Sequence, residues 1–464
     1  MDDTALVVGS GPNGLAAALT LARAGLRVEV HEAADAPGGG LRSAELTLPG
    51  FRHDLCSAIH PMGRASPFFR FAALDVEWAD PPAFVAHPFD DGTAVVLPRD
   101  LDAVDLGPDT RSYRRLVEPI VGAWEAVEPI LLGPFPPAVA KLRPALRLRS
   151  AVRAALSDAR SFVRATFATE RARAAFAGCA AHSILPLERR PSAGFGLALA
   201  VLGHVVGWGF ARGGAQALTD ALVAELRRCG GDVRVETAVD QMPPGLVVAD
   251  VMPAELRRIA RLPERYDRAL GRYRHGPGAF KLDWALAGPI PWRAPEVAQA
   301  ATVHLGGTLD EIAASEWGAW RGRPAERPFV ILAQHTLFDP TRAPQGKHTA
   351  WAYCHVPNGW PVDMTDAIEQ QVERFAPGFR DLVLARSAIG PRELEQRNRN
   401  LVGGDVNGGT MDLGQLFTRP LLARNPYRTP VSGLYLCSSA TPPGGGVHGM
   451  CGFSAALTAL RDRS

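Results

Sequence analysis

Residues 5–32 decide the fold. They begin with the apolar run Ala5-Leu6-Val7-Val8, continue through the turn Gly9-Ser10-Gly11-Pro12-Asn13-Gly14, and then read as an apolar helix, residues 15–24, that Gly25 ends. A second apolar run, residues 26–30, leads to Glu32. The order of strand, G-x-G-x-x-G turn, helix, strand and acid predicts a complete βαβ unit in a parallel sheet.

Each glycine of the turn has a separate role in such a unit. Gly9 permits the tight turn from strand to helix, Gly11 lets a pyrophosphate approach the backbone, and Gly14 allows the helix to pack closely on the strand. The N-terminus of the helix that follows offers free N–H groups to phosphates. The alternative is a turn that is merely structural, but the full order of elements favours a dinucleotide site.

Glu32 narrows the choice of dinucleotide. It stands 18 residues after Gly14, at the end of the second strand. A carboxylate in that place accepts hydrogen bonds from the hydroxyls of an adenosine ribose. It would repel a 2′-phosphate, so the sequence disfavours NADP.

Length and composition set wider limits. The 464 residues exceed one ordinary core, so we expect two domains. A net charge of +2 suggests no nucleic-acid partner. The six cysteines contain no C-x-x-C pair, and no signal sequence precedes the first strand, so we expect reduced thiols in a cytoplasmic protein. The apolar stretch 194–210 carries a histidine and several glycines, which favours a buried helix or pocket wall over a membrane span.

Two further glycine-rich segments follow the first. Residues 38–42, Gly38-Gly39-Gly40-Leu41-Arg42, form a second glycine turn with a cation at its end. Near the C-terminus, a predicted strand at 433–440 leads into Gly444-Gly445-Gly446-Val447-His448-Gly449-Met450 and a helix from Cys451. Between them, residues 213–228 predict a helix and residues 232–237 a strand. A strand, a glycine loop and a helix N-terminus form a second corner that binds anions and carbonyls.

In this order, the motifs resemble the phytoene-desaturase-like branch of the FAD-dependent oxidoreductases, which are relatives of the amine oxidases. The resemblance spans nearly the whole chain and implies FAD as the cofactor. The cofactor-binding residues that it implies are Gly9, Gly11, Pro12, Asn13, Gly14, Glu32, Gly39, Gly40, Leu41, Arg42, Val239, Gly445, Gly446, Val447, His448 and Met450. Gly40-Leu41 stands where many relatives have a compact G-G-R, which leaves the register of Arg42 against the pyrophosphate open.

The predicted fold class is α/β, with a Rossmann-like FAD-binding domain and an α+β substrate domain that contains an antiparallel sheet. Short apolar runs at 279–286, 329–334 and 349–355 predict that sheet as the floor of a substrate cavity, and residues 364–375 predict a helix. The expected division is 1–75, 206–272 and 393–464 for the FAD-binding domain, 76–205 for a helical substrate or lid region, and 273–392 for the sheet.

Four side chains are candidates for catalysis. His448 lies in the last glycine loop and could accept a proton or contact the flavin ring. Lys281 alternates with apolar neighbours on a predicted pocket strand, where it either faces the pocket, desolvated, or points outward into solvent. His355 and Asp405 are open to the same two interpretations. In the resembling family the stretch that contains His53 and His60 lies beside the flavin, so both are further candidates, although buried histidines are more commonly structural.

An amphipathic basic pattern runs through residues 147–167. Its apolar stripe is Leu148, Val152, Leu156, Ala159, Val163 and Phe167, and its basic face is Arg147, Arg149, Arg153, Arg160 and Arg164. The pattern predicts either a helix packed on the substrate domain with a solvated basic face, or a helix on a membrane surface through which a lipophilic substrate enters.

These observations lead to a functional hypothesis. The resemblance implies dehydrogenation or desaturation of a lipophilic, carotenoid- or isoprenoid-like molecule by hydride transfer to flavin N5, with oxygen or a quinone as electron acceptor. A flavin amine oxidase and a double-bond saturase are alternatives within the same fold. A lipid-binding escort without redox chemistry is the alternative of another class. No H-x-x-x-H pair or G-x-S-x-G elbow is present, so no metal site or hydrolase is expected.

Overall fold

The computed structural model describes residues 3–134 and 149–463, with the side chains of residues 149–151 left out. Its strands are β1 (Thr4–Val8), β2 (Arg27–His31), β3 (Ser43–Ala44), β4 (His53–Asp54), β5 (Trp78–Ala79), β6 (Ala83–Pro88), β7 (Ala94–Pro98), β8 (Phe210–Ala211), β9 (Asp232–Arg234), β10 (Val247–Ala249), β11 (Gly278–Leu286), β12 (Thr302–Leu305), β13 (Val330–Ala333), β14 (His348–Val356), β15 (Val383–Ile389) and β16 (Leu434–Leu436).

The helices fall between these strands and after them. They are α1 (Pro12–Arg23), α2 (Pro61–Ala65), α3 (Pro67–Ala72), α4 (Thr110–Val121), α5 (Trp124–Leu131), α6 (Arg149–Ala155), α7 (Ala159–Thr166), α8 (Glu170–Ala181), α9 (Ser192–Val205), α10 (Gln216–Arg228), α11 (Pro253–Ile259), α12 (Glu264–Leu270), α13 (Leu309–Trp320), α14 (Thr365–Phe375), α15 (Pro391–Arg397), α16 (Leu413–Leu416) and α17 (Met450–Arg463).

The N-terminal βαβ unit belongs to a five-stranded parallel sheet in the order β16-β10-β1-β2-β9. Its strands come from residues 4–31, 232–249 and 434–436, which are far apart in the chain. One face buries its apolar residues against α1, α10 and α17, and the other packs on α11 and α12. Short apolar strands buried on both faces are typical of parallel sheets.

The predicted antiparallel sheet is present and larger than expected. It has seven strands in the order β15-β11-β14-β13-β12-β6-β7, all paired antiparallel except β12 with β6. One face, with Leu282, Trp284 and Leu332, packs against α14. Because side chains alternate along a strand, the residues between them point to the opposite face.

The region 76–205 was predicted to be helical, but its first part contains strands. Residues 83–98 form the hairpin of β6 and β7, which extends the seven-stranded sheet beyond the expected 273–392. Helices α4, α7, α8 and α9 follow, and their apolar sides form one core with the sheet. The sheet therefore uses two separate parts of the chain, and a contiguous helical region followed by a contiguous sheet was too simple a prediction.

The basic segment is not one helix. α6 ends at Ala155 and α7 begins at Ala159, where the Asp158 side chain accepts a hydrogen bond from the Ser161 N–H and caps the new helix. Arg147 and Leu148 lie outside the described residues. Arg160 pairs with Glu188 and Asp310, and Arg164 also pairs with Asp310. Part of the predicted basic face is thus neutralised by acids of the same molecule.

The cysteines and the helices can be examined within the described residues. All six cysteines lie in the described part and are free. None of the helices within residues 3–134 and 149–463 has the length and apolar character needed to cross a membrane. The stretch 194–210 instead contains α9, most of which is buried.

Candidate functional site

The glycine-rich turn holds α1 against the parallel sheet. Gly9 has a φ of +92°, which an L side chain rarely adopts, and α1 begins at Pro12 directly after Gly11. A Cβ atom on Gly14 would lie 2.0 Å from the carbonyl oxygen of Gly9. The close approach of helix to strand therefore requires glycine at position 14, as the sequence pattern predicts.

Asp250 is a site residue that the motifs did not identify. It follows β10, its Oδ2 accepts a hydrogen bond from the Gly14 N–H at 2.9 Å, and it lines the same cavity as Gly11. Burial and the nearby charge of Glu32 raise the pKa of Asp250 to about 7, although the Gly14 N–H acts in the opposite direction. An acid directly after the short apolar run at residues 246–249 was the available signal, because the carboxyl ends of parallel strands face the ligand.

Glu32 stands at the cavity with its carboxylate held in place. Oε2 accepts hydrogen bonds from the backbone N–H and the hydroxyl of Ser10, and Oε1 accepts one from the Ala34 N–H. Arg42 also lines the cavity and forms an ion pair with Asp35 at 2.7 Å. These contacts leave further lone pairs on Glu32 for ribose hydroxyls.

A single cavity of about 1000 Å³ joins the nucleotide-binding turn to the antiparallel sheet. Of the cofactor-binding residues named from the sequence, it is lined by Gly9, Gly11, Pro12, Asn13, Glu32, Gly39, Gly40, Arg42, Val239, Gly445, Gly446 and Val447. Gly14, Leu41, His448 and Met450 are not among the lining residues. Leu41 packs in a small core with α10, and Met450 packs in the core beneath α1.

The residues at the turn fit a dinucleotide. A Cβ atom on Gly39 would lie 2.9 Å from the Cα of Gly11, so the two glycine turns meet closely and leave only backbone towards the cavity. The Oδ1 atom of Asn13 is buried and has no hydrogen-bond partner among the described residues. We call the exposed backbone at Gly11 and Gly39 the backbone cradle. An adenine dinucleotide is typically held by such a cradle, by a helix N-terminus and by an acid that binds the ribose.

His448 orders the last glycine loop. Its Nε2 contacts the Gly444 carbonyl oxygen at 3.1 Å, and its Nδ1 accepts the Met450 N–H at 3.0 Å. Burial lowers the pKa of His448 to about 4, so the ring is neutral. Both ring nitrogens are engaged within the loop, which gives the side chain a positioning role and leaves it no free acceptor for a proton.

Residues 55–62 connect this loop to the sheet. A Cβ atom on Gly446 would lie 2.7 Å from the sulfur of Met62, and the Ala58 carbonyl oxygen accepts a hydrogen bond from His335 beyond the end of β13. His60 is buried in this segment and lines the cavity. Burial lowers the pKa of His60 to about 4. The segment therefore lies between the nucleotide end and the sheet end of the cavity.

Lys281 lies on the cavity face of β11 and is only 2% exposed, so the outward, solvated orientation is excluded. Its ammonium pairs with Asp283, which lies two residues further on the same face. Burial raises the pKa of Asp283 to about 6, while the charge of Lys281 acts against the rise. His53 lies 3.6 Å from Asp283, and burial together with Lys281 lowers the pKa of His53 to about 3. Lys281 is thus the candidate catalytic residue that the structure places at the cavity.

The other two catalytic candidates hold structure together. His355 is buried, and its Nδ1 lies 2.8 Å from both carboxylate oxygens of Glu316. Asp405 is buried and accepts hydrogen bonds from the N–H groups of Gly276, Asn407 and Gly409. Neither side chain is among the lining residues. These internal partners engage the Asp405 carboxylate and the Nδ1 atom of His355, and the sequence alone could not reveal them.

The floor and the walls of the cavity beyond Lys281 are mainly apolar. Paired residues of an antiparallel sheet point to the same face. The register therefore places Thr302, Ile331, Ala333, Trp351 and Tyr353 on the floor, and all five line the cavity. The facing walls come from α4, α5 and α9, with the side chains Ile120, Trp124, Val127, Ile130, Leu131, Phe195, Leu197, Leu199, Val201 and Leu202.

A metal site is not part of this arrangement. Within the described residues, no group of three or more histidine, cysteine, aspartate or glutamate side chains could hold a metal ion. The half-buried His182 and the buried His304 do meet, with 2.8 Å between their Nε2 atoms, but no third ligand from the described residues joins them.

Comparison with known proteins agrees with the fold. A family profile described as an NAD(P)-binding Rossmann-like domain matches residues 7–73. The mouse protein "Pyridine nucleotide-disulfide oxidoreductase domain-containing protein 2" (Mus musculus) is 28% identical, and the alignment covers 99% of this chain and 93% of that protein. The "Phytoene dehydrogenase" of Streptomyces griseus is 27% identical over 96% of this chain and 92% of its own length.

Solved structures show the same fold. An oxidoreductase from Methanosarcina mazei superimposes with a TM-score of 0.67 at 16% identity, covering 99% of this chain and all of the other. The cyclohexylamine oxidase of Brevibacterium oxydans gives a TM-score of 0.61 at 15% identity, with both chains fully covered. The chain therefore has a Rossmann-like α/β fold with an additional antiparallel sheet. The resemblance to the phytoene-desaturase-like oxidoreductases is confirmed, and relatives along nearly the whole chain are oxidoreductases.

Proposed function

We propose that this protein is an FAD-dependent oxidoreductase that dehydrogenates or desaturates a lipophilic, isoprenoid-like small molecule. One observation carries the proposal: the backbone cradle at Gly11 and the apolar walls of α5 and α9 line the same cavity. A dinucleotide and an apolar substrate would therefore share one space. The similarity to a phytoene dehydrogenase over nearly the whole chain supports the same class of reaction.

FAD, when bound, would supply the acceptor for a hydride from a C–H bond of the substrate. The residues of this chain would do the rest. Gly11, Asn13 and Glu32 would hold the dinucleotide, and the apolar walls would exclude water and align the substrate. The Nζ atom of Lys281 would hold a polar group or a water molecule at the floor. Oxygen or a quinone is the proposed electron acceptor.

The direct test is the absorption spectrum of the purified protein, followed by heat release and identification of any bound nucleotide. We expect the bands of oxidised flavin and the release of FAD. Anaerobic bleaching of those bands by lipophilic compounds would then identify substrates. A colourless protein that takes up no added FAD would overturn the proposal and favour the lipid-binding escort.

The amine oxidase remains the second candidate, because the cyclohexylamine oxidase shares the fold. One feature of the cavity opposes it. Trp351 and Tyr353 meet edge to face at 67°, so they do not form two parallel ring walls. Bleaching by amines, with none by lipophilic alkenes, would favour this candidate and contradict the first.

We also propose a peripheral membrane contact. The substrate would leave the bilayer there and enter the cavity between α5 and α9. The ion pairs of Arg160 and Arg164 reduce the charge available for such a contact. Flotation with liposomes that contain anionic lipid tests it. Protein that stays at the bottom of the gradient would remove the membrane from the proposal without affecting the redox function.

A further inference from the structure

Two polar groups on the cavity floor have no protein partner. The indole N–H of Trp351 and the hydroxyl of Thr302 are buried and make no hydrogen bond to any described residue. Both residues line the cavity, and their exposed fractions are 8% and 2%. Buried donors of this kind cost free energy unless a partner satisfies them. Their place on the lining makes a cavity ligand the natural partner.

The register of the sheet brings the two groups to one row. Thr302 of β12 pairs with Ala333 of β13, and Ala333 pairs with Trp351 of β14. Strands lie about 4.8 Å apart, so the Cα atoms of Thr302 and Trp351 are roughly 10 Å apart across the row. Ala333 between them carries only a methyl group. The row therefore forms a notch over Ala333 with a hydrogen-bond donor on each side.

The chemistry of the notch selects a neutral oxygen. An indole N–H can only donate, and a threonine hydroxyl can donate or accept, so the ligand atom must accept. A protonated amine cannot accept a hydrogen bond. A carboxylate ligand would need a nearby cation that has no counter-ion of its own. The nearby Lys281 is already paired with Asp283. A hydroxyl or carbonyl oxygen meets these conditions, and the surrounding side chains are apolar.

We propose that the substrate is an oxygenated lipophilic molecule whose hydroxyl or carbonyl oxygen binds between Trp351 and Thr302, rather than a pure hydrocarbon. This inference rests on the proposed function in one respect, that the cavity receives a lipophilic substrate. It does not depend on the redox reaction. The notch thus sets which lipids bind and fixes the position of the chain relative to Lys281 on the neighbouring strand.

The test measures binding, using three probes that share one carbon skeleton: farnesene, farnesol and farnesal. Isothermal titration calorimetry on the purified full-length protein, with whatever cofactor it carries, gives the dissociation constant of each. We expect farnesol and farnesal to bind about tenfold more tightly than farnesene. Trp351→Phe and Thr302→Val keep the shape of each side chain and remove the polar group. Each should weaken the binding of farnesol roughly three- to tenfold and leave farnesene unchanged.

Two controls match the variants closely. Thr349 lies on β14 with an equally buried, unpartnered hydroxyl, and Trp360 has an unpartnered indole N–H, but neither residue lines the cavity. Thr349→Val and Trp360→Phe should therefore leave all three dissociation constants unchanged. Circular dichroism and melting temperature establish that each variant is folded.

A spectroscopic readout locates the hydrogen bond. The protein has nine tryptophans, and each gives an indole N–H signal in the proton NMR spectrum. The signal that is missing from the spectrum of Trp351→Phe belongs to Trp351. Addition of farnesol should move this signal downfield, whereas farnesene should not. Absence of a shift would contradict the inference, as would equal affinity for the three probes, failure of all three to bind, or an oxygen preference that survives in both variants.

The outcomes for the two proposals can be distinguished. A protein without flavin that still prefers farnesol through Trp351 would keep the inference and overturn the redox function. A flavoprotein whose Trp351 and Thr302 variants lose FAD while the oxygen preference persists would show that these groups serve the cofactor. That result would overturn the inference and keep the redox function.

Discussion

At the scale of single residues, the carboxyl group of Asp250 controls how much negative charge faces a bound dinucleotide. It lies at the N-terminus of α1, bonded to the Gly14 N–H, in the place where phosphates would approach. Burial and the charge of Glu32 raise its pKa to about 7, so the carboxyl group is protonated in acid and charged in base. The protonated form suits an anionic ligand, because it removes a like charge from the cradle.

The first prediction concerns pH. The folded pKa of about 7 lies above the ordinary value of 3.8, so the folded protein holds this proton more tightly than the unfolded chain. The resulting stability is fully present below about pH 4 and is lost as the pH rises through about 7. We expect the melting temperature of Asp250→Asn, relative to that of the wild type, to rise between pH 5 and pH 8.

FAD affinity should follow the same direction, weakening in the wild type above about pH 7 and less so in Asp250→Asn. The exposed Asp381→Asn is the control and should track the wild type at every pH. Parallel melting curves for the wild type and Asp250→Asn would show that this carboxyl group does not titrate as its burial requires.

The second prediction tests the cradle. A Cβ atom on Gly11 would lie 2.8 Å from Oδ2 of Asp250, in the space that a pyrophosphate would approach. Gly11→Ala should therefore fold and lose most of its bound FAD, measured as the ratio of flavin to protein absorbance. Gly288→Ala is a suitable control, because its added methyl group would meet only one atom, at 4.0 Å. Full FAD content in Gly11→Ala would exclude this turn as the dinucleotide site.

At the scale of elements, much of the fold could be predicted because local patterns determine it. The turn at Gly9 and Gly14 specifies α1 and its two strands, and alternation in residues 279–286 and 349–355 specifies β11 and β14. The break between α6 and α7 was missed, since the apolar spacing continues through residues 156–158, whereas Asp158 supplies a new N-cap. Capping by a side chain outweighed periodicity there.

Contacts between distant parts of the chain could not be predicted in the same way. Nothing local in residues 83–98 indicates that β6 will pair with β12, more than 200 residues later. The residues of the candidate site fall into the same two groups. The glycines and Glu32 belong to a linear motif and could be predicted, whereas Asp250, Thr302 and Trp351 reach the cavity only through the pairing of strands in the two sheets. The burial of Lys281 also depends on its neighbours across the sheet.

A buried ion-pair network joins the elements around the cavity. Arg342 donates to Asp54 of β4 at 2.6 Å, to Asp339 at 3.1 Å and to the Ala211 carbonyl oxygen of β8. Asp54 also accepts the Ala215 N–H just before α10. Burial alone would raise the pKa of Asp54, but the Arg342 guanidinium and these hydrogen bonds hold it below its ordinary value. The network thus connects β4, β8 and the start of α10 to the loop between β13 and β14.

The third prediction is that Arg342→Met strongly destabilises the protein. Its loss leaves two buried carboxylates without their cation, which costs about 3 to 5 kcal/mol of unfolding free energy. Urea denaturation measures this change. Arg212→Met, which removes an exposed ion pair with Glu77, is the control and should cost no more than about 1 kcal/mol. Equal effects of the two substitutions would show that the buried network does not hold these elements together.

At the scale of the whole molecule, the cavity is where separate parts of the chain meet. Its lining includes residues 8–9, 11–13, 237–239 and 445–447 from the parallel-sheet side, and residues of α5, α9 and the seven-stranded sheet from the other. A ligand that fills such a cavity contacts both sides at once. Binding to the folded state alone stabilises that state by mass action, and at one hundred times the dissociation constant the gain is about 2.7 kcal/mol.

The fourth prediction uses the position of the tryptophans to observe this coupling. None of the nine lies in the five-stranded sheet or in α1, α10, α11, α12 or α17, so their fluorescence reports unfolding of the side that contains the seven-stranded sheet. Adding FAD to deflavinated protein should raise the melting temperature seen by tryptophan fluorescence by a few degrees. The rise should equal that seen by circular dichroism, because the network at Arg342 and the shared cavity make the two sides unfold together.

NADP should give a smaller shift than FAD, since Glu32 opposes a 2′-phosphate, and Gly11→Ala should abolish the FAD shift in both signals. A rise seen by circular dichroism without any change in the tryptophan transition would mean that FAD stabilises only the parallel-sheet side. The two sides would then be independent folding units, and the cavity between them would not transmit cofactor binding to the side that contains the seven-stranded sheet. Coincident shifts instead mean that one ligand, bound at the Rossmann-like turn, organises the floor on which Lys281, Trp351 and Thr302 stand.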